Sequence, residues 1–446
     1  MISRILILLL LSFLSVQGQE KKELYDIINE VSSDRLEKDI KTLVNFGTRH
    51  TLSDTLSKSR GIGAARRWIK EEFETISKEC NGCLEVFYQK NYFTPEDGNR
   101  IVKPVWINNV VAIQRGKTHP NRFIIMSGDI DSRISDPTNY TDDSPGANDN
   151  ASGMAGTLEA ARVLSKYNFE SSIIYVGLAG EEQGLFGGKG MAAYAQEKEW
   201  EIIGILNNDM IGNIKGVDGV IDNRTFRIFS EPVPANETER QRNSRRFYGG
   251  EVDGISRQLA RYVHKTVKTY MPEMNPLMIY RLDRFGRGGH HRPFNDVGFA
   301  GIRIMEAHEN YVMQHQDIRT ENGINYGDVI EGVDFEYAKK LTAVNSINLA
   351  SLAWAPPAVE KFAIGGIVQA SVKFRWEKVS DASIIGYKIY WRDTTSPTWD
   401  HSKFVGDVSE TTLDGIVIDN FFFGISSVGK NGYESPVVFP NSIFRD

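Results

Sequence analysis

Acidic residues stand directly after several predicted strands of this 446-residue chain. Those after strands are Asp129, Asp131, Glu181, Glu182 and Asp209, and Asp149 lies immediately before a predicted helix. Because the carboxyl ends of parallel strands meet at one edge of a sheet, we expect these side chains to converge there. Such a crowd of negative charge is unfavourable unless protons or cations neutralise it. We therefore predict that divalent cations bind at this edge, with His291 supplying a nitrogen ligand.

Each of these residues also has a simpler interpretation. A single Asp after a strand is commonly a turn residue, and Asp149 has the position of a helix cap. The pair Glu181 and Glu182 fits a solvated loop, and His290 with His291 fits an exposed turn. We favour the metal site because several loops predicted at the same edge all carry side chains that bind metals.

The elements that position these residues are predicted from the periodicity of apolar residues. Helices are predicted over residues 21–46, 61–77, 151–167 and 334–353, and strands over residues 105–114, 122–127, 172–178, 202–207 and 300–305. Strands that alternate with helices indicate an α/β fold, with a mixed, largely parallel sheet covered by helices on both faces.

The pattern changes after the last predicted helix, at Pro356 and Pro357. Short alternating strands are predicted over residues 371–376, 386–391 and 421–428, with turn residues between them. This pattern is typical of a small all-β sandwich. We therefore predict two domains, over residues 19–355 and 358–446.

The first residues predict a secretory signal peptide over residues 1–18. Arg4 precedes an aliphatic run, and Gly18 ends a cleavage signal of small residues. The run is shorter than the about 20 residues that span a membrane, and no later segment reaches that length, so we expect no transmembrane segment. We expect export to the periplasm or the extracellular space, where Cys80 and Cys83 would form a small local disulfide.

The net charge is −6 and no long basic run is present, which argues against nucleic acid as a partner. The sequence predicts no particular oligomeric state. Residues 284–289 form a glycine-rich stretch that lacks the lysine of a phosphate-binding loop, and we interpret it as a flexible active-site loop. Residues 306–317 are expected to line the pocket, with His308 and His315 as structural or solvent-facing residues.

Short motifs along the first part of the chain occur in a recognisable order. They are Asp129-Ile130-Asp131-Ser132, Gly146-Ala147-Asn148-Asp149-Asn150-Ala151-Ser152-Gly153, Gly180-Glu181-Glu182-Gln183-Gly184, Asn208-Asp209-Met210 and His291-Arg292-Pro293-Phe294. In type and order they resemble the co-catalytic zinc aminopeptidase family, which includes secreted bacterial leucine aminopeptidases, glutamate carboxypeptidases and glutaminyl cyclases. The resemblance covers roughly residues 36–354. About residues 358–439 resemble a fibronectin type III domain, to which we assign no chemistry.

The resemblance implies two divalent metal ions and a ligand set for each. Asp149 would bridge the two ions. Asp129 and Asp209 would complete one site, and Glu182 and His291 would complete the other. Zinc is the metal that the family implies.

The resemblance also implies how the reaction proceeds. The ions would lower the pKa of a bridging water, and Glu181 would act as the general base on that water. Asp131 would orient Asp129. The family tends to have a cis peptide after the bridging residue, which here is the bond between Asp149 and Asn150.

The sequence departs from the family at two positions. The family has His where this chain has Asp129, and it commonly has Asp where this chain has His290. An Asp still binds zinc, but oxygen in place of nitrogen makes manganese, cobalt or calcium plausible as well. His290 is expected to orient its neighbours or to face the substrate.

Together these features predict a secreted metal-dependent exopeptidase, an aminopeptidase that acts on peptide substrates. A glutaminyl cyclase-like acyltransferase is an alternative, since such enzymes use a related scaffold with one zinc. A noncatalytic pseudopeptidase or binding protein is a third, supported by the sandwich and by Asp129. The complete two-metal ligand set favours the peptidase.

Overall fold

The computed structural model describes residues 21–445, and the predicted signal peptide lies outside these residues. The helices are α1 (Lys22–Glu30), α2 (Ser33–Val44), α3 (Gly61–Glu79), α4 (Gly153–Leu164), α5 (Phe186–Glu197), α6 (Glu239–Tyr248), α7 (Ile255–Tyr270), α8 (His291–Asp296) and α9 (Phe335–Trp354). The strands of the first part are β1 (Leu84–Phe93), β2 (Val105–Gln114), β3 (His119–Asp129), β4 (Ser171–Leu178), β5 (Glu201–Asn208), β6 (Thr225–Ser230), β7 (Asn275–Ile279), β8 (Gly301–Glu306), β9 (Arg319–Glu321) and β10 (Ile324–Tyr326). The later strands are β11 (Phe362–Gly365), β12 (Val372–Trp376), β13 (Ile384–Asp393), β14 (His401–Gly406), β15 (Glu410–Leu413), β16 (Phe421–Gly429) and β17 (Ser442–Ile443).

The first part of the chain is built on an eight-stranded mixed sheet in the order β1-β2-β4-β3-β5-β8-β6-β7. Its centre, β4-β3-β5-β8, is parallel throughout. β1 and β2 add antiparallel strands on one side, and β6 pairs antiparallel with β8 on the other. The carboxyl ends of the four central strands therefore meet at one edge, as the sequence predicts. The α/β fold with a mixed sheet is confirmed.

Two apolar cores lie on opposite faces of this sheet. Successive residues of β2 alternate between them, with Val110 in one core and Val111 in the other, because side chains alternate across a strand. Leu158 of α4 packs in the larger core, whereas Met191 of α5 packs in the smaller one. Helices thus cover both faces, which explains why β4 is buried along its whole length.

The helix predicted over residues 21–46 is two helices, which corrects that prediction. Val31 is extended, and the side chain of Ser32 accepts a hydrogen bond from the backbone N–H of Arg35. Ser32 therefore caps a new helix, α2, after the chain turns. Leu36 and Ile40 of α2 are buried, so the break allows both short helices to pack against the core.

The last part of the chain forms two small sheets, in the orders β15-β12-β11-β17 and β14-β13-β16. Phe374 of the first sheet and Ile389 of the second lie in one shared core, so the sheets pack face to face. The predicted division at residues 355–358 falls between α9 and β11, and the likeness to a fibronectin type III domain stays a prediction. Tyr433 stacks on Trp354 with ring centroids 5.1 Å apart, which joins these sheets to the first part.

Within residues 21–445, none of the helices has the length and hydropathy needed to cross a bilayer. Cys80, at the end of α3, and Cys83, just before β1, are joined by a disulfide. It holds together the short connection between these two elements.

Candidate active site

Carboxyl groups from separate loops converge at the carboxyl edge of the parallel strands. Asp129 ends β3, Glu181 and Glu182 follow β4, Asp209 follows β5, and Asp149 precedes α4. Burial raises the pKa of Glu181 well above its usual value, and the negative charges of the other four carboxyls raise it further. The cluster that the sequence predicts is therefore present, and cations or protons must neutralise it.

Two carboxyls of this cluster and the imidazole of His315 have the geometry of a metal site. Nε2 of His315 lies 2.9 Å from Oε1 of Glu182 and 3.0 Å from Oδ2 of Asp149. One ligand atom from each residue lies within 4.8 Å of the other two. One nitrogen and two carboxylate oxygens suit zinc, so the residues present fit a divalent ion.

The hydrogen bonds of His315 show where such an ion would bind. A guanidinium nitrogen of Arg133 lies 2.6 Å from Nδ1 of His315. Since a guanidinium only donates, Nδ1 is the acceptor and the ring proton is on Nε2, between the two carboxylates. A divalent cation held by the three side chains would displace this proton.

The loop that carries Asp149 is fixed by a buried network. Asp328 accepts the backbone N–H groups of Asn148 and Asp149 at 2.8 and 2.7 Å. The amide of Asn150 donates to Oδ2 of Asp129 and to the carbonyl of Asn208, both at 2.7 Å. The peptide between Asp149 and Asn150 is cis, as the family resemblance implies. Asn150 thus ties together the loops that present three of the carboxyls.

Asp129 and Asp209, the ligands implied for the other metal, each contact a nitrogen of a buried side chain. Oδ1 of Asp129 lies 2.5 Å from Nδ1 of His290, and Oδ2 of Asp209 lies 2.8 Å from Nη2 of Arg303. Burial raises the pKa of Asp129 to about 8 and that of Asp209 to about 7. Among residues 21–445, only Asp149, Glu182 and His315 group three ligand atoms closely. A second metal therefore stays a prediction.

The structure does not bring His291 to the carboxylates, which corrects its assignment as a ligand. Nε2 of His291 donates to the carbonyl of Leu282 at 2.8 Å and lies 3.7 Å from Asp283. Burial lowers the pKa of this imidazole to about 4, so it is neutral at pH 7. His291 therefore supports the loop before α8 and does not complete the site with Glu182.

Asp131 also differs from its implied role of orienting Asp129. Its carboxylate accepts the backbone N–H groups of Glu181 and Glu182, at 3.2 and 3.1 Å, and the hydroxyl of Thr51 at 3.1 Å. Asp131 thus fixes the loop of the proposed general base and its neighbour.

The sequence predicts His315 to be a structural or solvent-facing residue, whereas the structure places it in the close ligand group with Asp149 and Glu182. It lies in the segment after β8, the fourth central strand, at the same edge as the acidic residues. The position of a histidine after a predicted parallel strand was the available signal. Motif resemblance instead favoured His291, which lies within a more similar local sequence.

The site opens into a cavity of about 460 Å³. The glycine-rich stretch predicted as an active-site loop contributes Gly286 and Gly288 to its lining. Arg284 and Arg287 of that stretch both contact Glu309, at 2.8 and 2.9 Å. These ion pairs hold the stretch beside the segment that carries His315.

Comparison with known proteins finds a family and relatives of this chain. Residues 109–330 match peptidase family M28. A probable zinc metalloprotease of Leptosphaeria maculans is 41% identical, over 95% of this chain and 98% of its own. One of Pyrenophora tritici-repentis is 38% identical, over 94% of this chain and 97% of its own.

Among solved structures, the LapA aminopeptidase of Legionella pneumophila has a TM-score of 0.55 at 19% identity, covering 75% of this chain and 76% of its own. A glutaminyl cyclase of Macrostomum lignano has a TM-score of 0.51 at 14% identity, covering 74% of this chain and 92% of its own. These two share the fold. The match to the family model and the identity to probable zinc metalloproteases over nearly the whole chain show that the chain belongs to peptidase family M28 and is a metallopeptidase.

Proposed function

We propose that this protein is a secreted aminopeptidase that removes residues from the N termini of peptides and depends on divalent metal, with zinc as the expected ion. The observation that carries the proposal is the group formed by Asp149, Glu182 and His315 beside Glu181. Asp129 and Asp209 are proposed as ligands of a second ion that Asp149 would share.

Glu181 is the proposed general base and acid. When bound, divalent metal lowers the pKa of a coordinated water and polarises a carbonyl group. Glu181 accepts a proton from the attacking water and delivers it to the amine that leaves. A carboxyl whose pKa is raised by burial holds a proton more readily than an ordinary one, which suits the second half of this role.

Action at the N terminus is supported by the acidity of the site. The free amino group of a peptide is a cation, and uncoordinated carboxylate oxygens of the cluster would attract it. A peptide with a blocked N terminus would lose that attraction. Export is supported by the predicted signal peptide and by the disulfide of Cys80 and Cys83, since disulfides persist in oxidising compartments.

The test compares free and N-acetylated peptides of one sequence, with metal content measured on the same protein. We expect hydrolysis of the free peptide only, and a loss of about 10²–10⁴-fold in Glu181→Gln with metal retained. Glu197→Gln, at a side chain that is 70% exposed, is the matched control. Wild-type rates in Glu181→Gln, or equal cleavage of both peptides, would refute the proposal.

A glutaminyl cyclase-like activity is the second candidate. The observation in its favour is that only one close ligand group is found in the described chain, which suits the single zinc implied for such enzymes. Incubation with a peptide that begins with Gln distinguishes the two. Loss of ammonia with the peptide otherwise intact, seen by mass spectrometry, indicates the cyclase, whereas release of free Gln indicates the aminopeptidase.

A further inference from the structure

Cationic side chains line the same cavity as the acidic cluster. They are Arg100, Arg133, Lys189, Arg284, Arg287 and Arg292. Metal binding offsets most of the negative charge of the carboxylates in such a site. The side chains around it then leave an excess of positive charge, which favours an anionic group on the substrate.

Most of these cations already have partners in the protein. Arg133 contacts Glu182 at 2.7 Å, and Arg284 and Arg287 share Glu309. Arg100 donates to the backbone carbonyl of Glu182. The charges of Arg133, Arg284 and Arg287 are therefore paired with carboxylates, and the guanidinium of Arg100 is held by a backbone carbonyl.

Arg292 and Lys189 differ from the others. The Nε of Arg292 is buried without a hydrogen-bond partner, and no carboxylate of residues 21–445 forms an ion pair with its guanidinium. Lys189 is exposed and lies over the ring of Phe186, with Nζ 4.7 Å from the centroid. Asp296 also lines the cavity, but it is exposed and pairs with neither cation.

The position of Arg292 is enforced by its surroundings. It lies in the first turn of α8, and a Cβ placed on Gly288 would lie 2.9 Å from both Cδ and Nη1 of Arg292. The glycine therefore leaves room for the guanidinium in the wall of the cavity. The terminal nitrogens of the guanidinium are not buried in this way, and they are the donors that a ligand carboxylate in the cavity would meet.

The lining offers little to an apolar side chain. Leu185 and Pro293 are its only aliphatic side chains, and the rest are charged or polar side chains and glycines. A pocket for leucine or phenylalanine would be mainly apolar.

We propose that the cavity selects peptides whose N-terminal residue is acidic, with the carboxylate of that side chain bound by Arg292 and Lys189. This inference rests on the proposed aminopeptidase function and adds its substrate class. Arg292 is the specificity-determining residue, since its guanidinium can bind a carboxylate through two hydrogen bonds.

The first test measures kcat/KM on anilides of Glu, Gln, Leu and Lys. We expect Glu to exceed its isostere Gln by about ten- to a hundredfold, the effect of a hydrogen bond to a charged group. Arg292→Gln should reduce that ratio to near one, and Arg292→Lys should keep part of it. Arg115→Gln, outside the cavity lining, should keep the wild-type ratio.

The second test separates this inference from the function on which it rests. Glu181→Gln protein loaded with zinc is titrated with L-glutamate and with L-glutamine in a calorimeter. We expect glutamate to bind at least about tenfold more tightly, and the difference to vanish when Arg292→Gln is added.

If no anilide is cleaved but glutamate still binds selectively through Arg292, the aminopeptidase function fails and the acidic site stands. The inference is overturned if wild type prefers Leu or Lys, or if Arg292→Gln leaves the Glu to Gln ratio unchanged. It is also overturned if cleavage of peptides, used in place of the anilides, depends on an acidic second residue or on the free C-terminal carboxylate and not on an acidic first residue.

Discussion

Nδ1 of His290 lies 2.5 Å from Oδ1 of Asp129, and both side chains are buried. These are the two positions at which the sequence departs from the family pattern, which has His at the first and commonly Asp at the second. The contact shows that the two departures face each other, so the imidazole and the carboxyl have exchanged places. Burial raises the pKa of Asp129 and lowers that of His290, which favours a neutral carboxyl and a neutral imidazole near neutral pH.

This contact predicts that the two positions are coupled. His290→Asp alone places two buried carboxyls together, and Asp129→His alone places two imidazoles together. We expect each single variant to lose about 1–3 kcal/mol of unfolding free energy. The exchanged variant, Asp129→His with His290→Asp, should recover at least about 1 kcal/mol of the summed loss, as measured by denaturant unfolding. Losses that simply add would contradict the pairing.

The second prediction concerns which histidine binds metal. His315→Gln removes the only nitrogen from the close ligand group, so we expect zinc affinity to fall by more than about a hundredfold, beyond the usual effect of outer partners. His291→Gln should lower stability but keep zinc, because His291 contacts Leu282. Competition with a chelating dye measures both affinities. If His291→Gln loses zinc and His315→Gln keeps it, His291 is the metal ligand, as the motif resemblance implies.

The two histidines show where prediction from sequence succeeds and fails. Most of the acidic residues could be placed because they follow buried strands, and the edge of a parallel sheet brings such positions together, whereas Asp149 could be placed before a predicted helix. His315 lies nine residues past the end of β8, and its approach depends on the path of the intervening loop. His291 has its ring turned away by the carbonyl of Leu282, a contact that no local pattern shows.

In the fold, too, some elements are predictable from the sequence and others are not. The central strands were predictable because burial on both faces requires continuous apolar runs, as in β4. β1 and β7 lie at the edges of the sheet with mixed polar and apolar faces, so periodicity did not indicate them. The break between α1 and α2 depends on the capping side chain of Ser32, which stands within an otherwise continuous helical pattern of apolar residues.

A third prediction follows from the buried guanidinium of Arg303, which lies between Asp209 and Asp283 at 2.8 and 3.2 Å. Arg303→Met leaves both carboxylates without that cation. We expect a loss of roughly 3–5 kcal/mol of unfolding free energy in metal-free protein. Saturating zinc should reduce the loss if Asp209 binds metal, since an ion then supplies positive charge.

Arg319→Met is the matched control for this measurement. Arg319 is 38% exposed and pairs with Glu321 on the surface, so its loss should stay within about 0.5 kcal/mol. Denaturant unfolding of wild type and both variants, with and without zinc, gives the loss of unfolding free energy for each variant under both conditions. Equal small losses for both variants would show that Arg303 does not stabilise the carboxylates.

The last prediction uses Glu231, which follows β6 away from the metal site. Its side chain is buried, and no cation of residues 21–445 forms an ion pair with it. Burial, with a smaller contribution from the charge of Asp296, raises the pKa of Glu231 to about 7. The folded state therefore binds a proton that the unfolded state releases near pH 4.5, and stability declines as pH rises from there to about 7.

Glu231→Gln removes this ionisation while keeping the shape of the side chain. Relative to wild type, we expect the variant to gain stability as pH rises through this range, by up to about 3 kcal/mol above pH 7. Melting temperatures measured from pH 4 to pH 8 test this, and the difference between the two proteins cancels the titration of the metal-site carboxyls. Glu377→Gln, 68% exposed, should follow the wild-type curve. A difference between Glu231→Gln and wild type that stays constant with pH would mean that Glu231 ionises at its ordinary pKa in the folded protein.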